Sequence, residues 1–178
     1  MKYFYSVLVL VLMYGIGSGI YDQMNKEKPR LSRLDCQKEM IVYEKVYDAE
    51  ALERAKIALK EGLLSIDSSI QKSKYMKSKL FEYVDINEVD VLLKEAVAKH
   101  HTQSDSDKAL HVSYYIYEND KKDPGKKSPK SKLYAGYIHM TFSVDGIKAY
   151  VTQVDFMDMQ GKDIEKRIAC ALATFLSA

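Results

Sequence analysis

Four histidines, two cysteines and 25 carboxylates are the residues of this chain whose types could make or break bonds. A metal site needs three or four donors that converge. His100 and His101 sit side by side in "HHTQSDSDK", close to Asp105 and Asp107. His111 follows on a predicted strand, and His139 lies on another. No H-E-x-x-H or other ligand spacing joins them, so they read as solvated surface histidines and no metal is expected. G-x-S-x-G is absent. Asp155 and Asp158 form a carboxylate pair, but both read as solvated. Cys170 falls among apolar residues of a predicted helix, where burial would keep its thiol protonated and inert. There is no glycine-rich phosphate loop. Gly15, Gly17 and Gly19 all belong to an apolar N-terminal run. No catalytic residue and no cofactor are therefore expected.

Cys36 and Cys170 bear on compartment. With no C-x-x-C, thioredoxin-type chemistry and zinc ribbons are excluded. In an oxidising compartment the two would form one bridge; in a reducing one they are free thiols. Residues 3 to 20, "YFYSVLVLVLMYGIGSGI", are apolar except for two serines. The segment reads as a signal peptide, with Gly17-Ser18-Gly19 placed for cleavage, or as an uncleaved membrane anchor. Lys26, Lys28, Arg30 and Arg33 follow it, and a positive-inside count alone would hold the body in the cytoplasm. The early start behind Lys2 and the small residues after it favour export. The expected location is a bacterial envelope, periplasmic or anchored in the inner membrane. A net charge of +2, with only four arginines among 27 basic residues, argues against nucleic acid as a partner.

The remaining candidates are tyrosines. "LYAGYIHMTFSVDGIKAYVTQVDF", residues 133 to 156, reads as strands 133–144 and 147–156 around Asp145-Gly146, a strong signal for a two-residue hairpin turn. Unbroken pairing from that turn sets Phe142 opposite Ala149 and Thr141 opposite Tyr150. It makes Ile138, Met140, Phe142 and Val144 one wall of the core. A preceding strand, Leu110 to Glu118, alternates in the same way. Tyr115, Tyr117, Tyr137, His139 and Tyr150 then share the face opposite the core. Clustered exposed aromatic groups call for a cover. Either the N-terminal helices supply it, or a partner protein or small ligand does. Residues 119 to 132 hold six lysines against two aspartates and read as a solvated hairpin tip.

These surfaces need a scaffold, and the pattern gives an α+β one. Asp48 caps a predicted helix carrying Leu52, Ala55, Leu59 and Leu63. Residues 66–84 read as more helix, from Ile66, Ile70, Leu80 and Val84. Asn87 caps a third, with Val89, Leu92, Leu93 and Val97 on one side. A three-stranded antiparallel meander follows, then a helix bearing Ile164, Ile168, Leu172 and Phe175. The expected organisation is 1–21 signal or anchor, 22–47 connecting segment and 48–178 a single domain. The functional expectation is a non-enzymatic envelope protein that binds another envelope protein, held to the membrane through residues 3–20 if these are retained. The alternatives are a small exported enzyme with a site at His139 and Tyr150, or an exported inhibitor or toxin-neutralising protein.

Overall fold

Asp48 begins the first long helix as its sequence predicts, its Oδ1 accepting the Ala51 N–H at 2.8 Å. The computed structural model describes residues 33–40, 42–61, 63–102 and 109–178. The predicted signal or anchor helix, and the loop aspartates Asp105 and Asp107, lie outside the described residues. In chain order the elements are α1 (Asp35–Lys38), β1 (Val42–Val46), α2 (Ala49–Glu61), β2 (Leu63–Gln71), α3 (Ile86–Ala98), β3 (Ala109–Glu118), β4 (Gly136–Val144), β5 (Ile147–Phe156) and α4 (Ile164–Ser177). Short 3₁₀ turns occupy Leu80–Glu82 and Pro129–Lys132.

The fold is α+β, with a five-stranded mixed sheet in the order β1-β5-β4-β3-β2. The antiparallel β3-β4-β5 meander is present, but it is the middle of a larger sheet. β1 pairs antiparallel with β5, and β2 pairs parallel with β3. Parallel neighbours need a crossover, and α3 provides it. Residues 33–47 do not merely connect, because they carry α1 and an edge strand. Residues 66–84, expected as helix, are strand up to Gln71, in β2 with Leu63 at its start, and then irregular chain with one 3₁₀ turn at Leu80–Glu82.

One face of the sheet holds the core. Leu110, Val112, Tyr114 and Ile116 of β3, Ile138, Met140, Phe142 and Val144 of β4, and Tyr150, Val154 and Phe156 of β5 pack there with α2, α3 and α4. Asp85, not Asn87, caps α3, its Oδ1 accepting the Asn87 N–H at 2.8 Å. Within α3, Asp90 accepts the Tyr114 hydroxyl at 2.7 Å and the Ser68 hydroxyl at 3.1 Å, which satisfies a tyrosine oxygen at the edge of the core. The hairpin turn is as expected: Asp145 and Gly146 take φ of 54° and 74°.

Two residues beyond the turn the register changes. Ser143 pairs with Lys148, but Phe142 pairs with Tyr150, so Ala149 is an unpaired bulge residue. Its carbonyl instead accepts the N–H groups of Tyr47 (2.9 Å) and Asp48 (3.3 Å), which turns the chain from β1 into α2. The extra residue flips everything after it on β5 to the other face. Tyr150, expected on the outer face, is thereby buried in the core with no exposed surface.

Cys36 of α1 and Cys170 of α4 are joined as a disulfide, Cα–Cα 5.8 Å. Beside it the Gln37 amide donates to Thr174 Oγ1 at 3.3 Å. Among the described residues no helix is long and apolar enough to cross a membrane.

Candidate functional site

Antiparallel pairing places Tyr115 opposite His139 and Tyr117 opposite Tyr137. Cross-strand neighbours on one face are close enough for rings to touch, and here they form a continuous ladder. His139 stacks on Tyr115, centroids 4.9 Å apart and planes at 14°. Tyr115 meets Tyr137 edge-on at 5.9 Å, and Tyr137 stacks on Tyr117 at 4.7 Å. Lys126 closes the row: its Nζ lies 5.1 Å from the Tyr117 ring centroid and donates to the Tyr117 hydroxyl at 3.1 Å. The four rings are half-buried by one another. Among the described residues, the helices that touch the sheet pack on its opposite face.

The chemistry of this row is neutral. Burial, together with its tyrosine neighbours Tyr115 and Tyr117, raises the Tyr137 hydroxyl above the ordinary tyrosine range. Burial, and then the charge of Lys148, pushes the His139 imidazole below its usual value, so it is uncharged at neutral pH. The ladder offers apolar ring area, tyrosine hydroxyls and one neutral imidazole. An acid–base site at His139 and Tyr150 is excluded by position, since the two side chains lie on opposite faces of the sheet. His111 pairs with Ser143 near the other end of β3, away from His139, and its Nδ1 lies 2.7 Å from Ser65 Oγ. Among the described residues no group of three or more His, Cys, Asp or Glu side chains is placed to hold a metal.

Two clefts flank the Tyr117–Tyr137 pair, one toward β2 and one toward β5. One, of about 610 Å³, runs from Tyr117 to Gln71, Lys72, Tyr75 and Asp123. The other, of about 510 Å³, reaches Asp155, the cross-strand partner of Tyr137.

How the first cleft is built is barely visible in the sequence. Glu118 ends the predicted strand, and Asn119 and Asp120 begin the segment read as a solvated tip, yet all three are buried. Glu118 accepts N–H bonds from Lys79 (2.8 Å), Leu80 (3.0 Å) and Ser73 (3.2 Å), and the Ser73 hydroxyl at 3.0 Å. Asp120 accepts the Lys74 and Tyr75 N–H groups, each at 2.6 Å. The Asn119 amide donates to the Ser131 and Tyr134 carbonyls and its oxygen accepts from Lys126. Three consecutive side chains thus tie residues 73–80 and 126–134 to the end of β3. One signal was available: Glu118 continues the inward alternation of Leu110, Val112, Tyr114 and Ile116. A carboxylate at a core-facing position has to be paired.

No family model matches the chain, and no curated protein matches it. Among solved structures, a PelC dodecamer from Paraburkholderia phytofirmans is similar to it, with 10% identity over 77% of this chain and 97% of that one and a TM-score of 0.37.

Proposed function

We propose that this is a non-enzymatic protein of the bacterial envelope, exported or membrane-tethered, that works by binding another protein through the outer face of β3 and β4. The observation that carries the reading is the aromatic ladder His139–Tyr115–Tyr137–Tyr117, which no helix among the described residues covers. Stacked tyrosines lose little rotamer freedom on binding and present large rigid area, which is why tyrosine is enriched among interface hot spots. The Cys36–Cys170 bond supports an oxidising compartment.

A photo-cross-linking amino acid placed at Tyr115 or Tyr137 in the producing cell tests this. It should trap one protein from either position, while the same group at Lys127 traps it weakly. Tyr137→Ala should weaken capture by about 2 kcal/mol and leave the domain folded. Capture from Lys127 alone would move the contact to the lysine-rich segment and end the proposal.

A further inference from the structure

The second cleft contains a carboxylate held by one weak hydrogen bond. Asp155, 8% exposed, lies along it, and its one hydrogen bond among the described residues is a long one, from Gln153 Nε2 at 3.4 Å. Burial pushes its carboxyl above the usual aspartate range against the opposing pull of Gln153 and Arg167. Arg167 gives its Nε and Nη2 to Asp163 at 3.0 and 2.8 Å and makes no hydrogen bond to Asp155, although its buried Nη1 has no partner among the described residues. A buried carboxylate short of partners costs free energy unless something supplies donors. The walls beside it are apolar: Met40, Leu133, Tyr134 and Met157. Leu133 and Met157 remain largely exposed at the mouth.

The rim has the opposite sign. Arg33, Lys38 and Lys130 border the cleft with one carboxylate, Glu39. Glu39 is bonded to Lys166, and Lys38 to Asp35 at 2.6 Å. Arg33 and Lys130 have no carboxylate partner among the described residues. A simple amine would satisfy Asp155 but meet repulsion at the rim. A simple anion would satisfy the rim and be repelled by Asp155. The arrangement suits a molecule with a primary ammonium, an adjoining anionic group and hydrocarbon. Arg33 also lies only thirteen residues beyond the apolar run 3–20, a stretch that spans at most about 45 Å. A membrane holding that run would have its headgroup layer within reach of this cleft.

We propose that the cleft binds the headgroup of an aminophospholipid, the ammonium on Asp155, the phosphate toward Arg33 and Lys130, and the start of the acyl region against Met40, Leu133 and Met157. The inference rests on the envelope placement and not on protein binding by the tyrosine ladder.

Met40 and Met157 carry methyl groups that report on the cleft directly. The isolated full-length protein is mixed with phosphatidylcholine nanodiscs doped with phosphatidylethanolamine or phosphatidylglycerol, and the two methyl resonances are followed. Choline cannot donate a hydrogen bond to Asp155, and glycerol carries no cation. Phosphatidylethanolamine should shift both resonances, and phosphatidylglycerol should not. Asp155→Asn, which removes charge without changing shape, should weaken the ethanolamine response about tenfold or more. Lys130→Gln should weaken it less. Equal response to both lipids would reduce the site to a basic surface. A response that survives Asp155→Asn, or no response at all, would overturn the assignment. So would an equal shift from N-acetyl-lysine amide, which would give the cleft to a partner's lysine. Loss of protein capture at Tyr137 bears on none of these readouts.

Discussion

Tyr150 shows how far one residue's role depends on a neighbour it does not touch in sequence logic. It forms an aromatic cluster with Phe142 and Phe175, at 6.0 and 5.7 Å, and donates its hydroxyl to Glu44 at 2.7 Å. Tyr150→Ala should therefore cost about 3–5 kcal/mol, and Tyr150→Phe about 1 kcal/mol, both read from denaturant unfolding. Tyr137→Ala on the opposite face should change stability far less, and that contrast separates core from binding face. Asp155 gives a second residue-scale prediction. Its folded carboxyl is raised above the unfolded value, so its contribution is most favourable below the ordinary aspartate range and is lost as pH rises through the folded value. Asp155→Asn should then be more stable than the parent at pH 7, and that advantage should shrink on acidification. A loss of stability at pH 7 would mean that the carboxylate has a partner after all.

Element boundaries divide into those that local pattern specifies and those set by distant contacts. The turn at Asp145-Gly146 was legible from its turn residues, α2 from the Asp48 cap and its period, and α3 and α4 from their helical period alone. β2 was misread for a definable reason. Ile66 and Ile70 are four apart, a spacing that fits both a helix turn and two strand repeats. The deciding alternation of Leu64, Ile66, Ser68 and Ile70 against Ser65, Asp67, Ser69 and Gln71 is blurred by its serines. β1 is five residues with two charges, too short to show a period, and exists because β5 offers an edge. The Ala149 bulge has no local signal, since its carbonyl is held by Tyr47 and Asp48 a hundred residues earlier. The same long-range logic makes Glu118 an element-scale clamp. Burial alone would raise its carboxyl, but the Lys79, Ser78, Leu80 and Ser73 donors outweigh burial and hold it at about 2. Its stabilisation is present above the ordinary glutamate value of 4.5 and is lost as pH falls toward about 2. Glu118→Ala should cost about 2 kcal/mol at pH 7, and the difference from the parent should narrow through that window. Amide exchange at Lys79 and Leu80 should speed up with little change in α4.

At the scale of the whole described body, chain ends far apart in sequence are held against one another. α1 contributes only four residues, and β1 adds a five-residue edge, so packing alone anchors residues 33–46 weakly. The Cys36–Cys170 bond spans a sequence separation of 134 residues. Closing a loop that long removes much of the freedom of the unfolded chain, and such a bridge contributes about 2–5 kcal/mol. The noncovalent support beside it is modest: the Gln37–Thr174 bond, the exposed Lys166–Glu39 pair, and Glu44 on Tyr150. Exposed ion pairs contribute little. Reduction should therefore lower the unfolding free energy by an amount within that range. Amide exchange should rise first in 33–46 and at the facing edge of β5, while β3, β4 and α2 stay protected. Cys36→Ser with Cys170→Ser should reproduce the reduced protein. Labelling of the unreduced, denatured chain should find no free thiol. Two reactive thiols would remove the bridge and, with it, the strongest support for an oxidising compartment. An unchanged stability on reduction would instead show that β1 and α1 hold by pairing and packing alone.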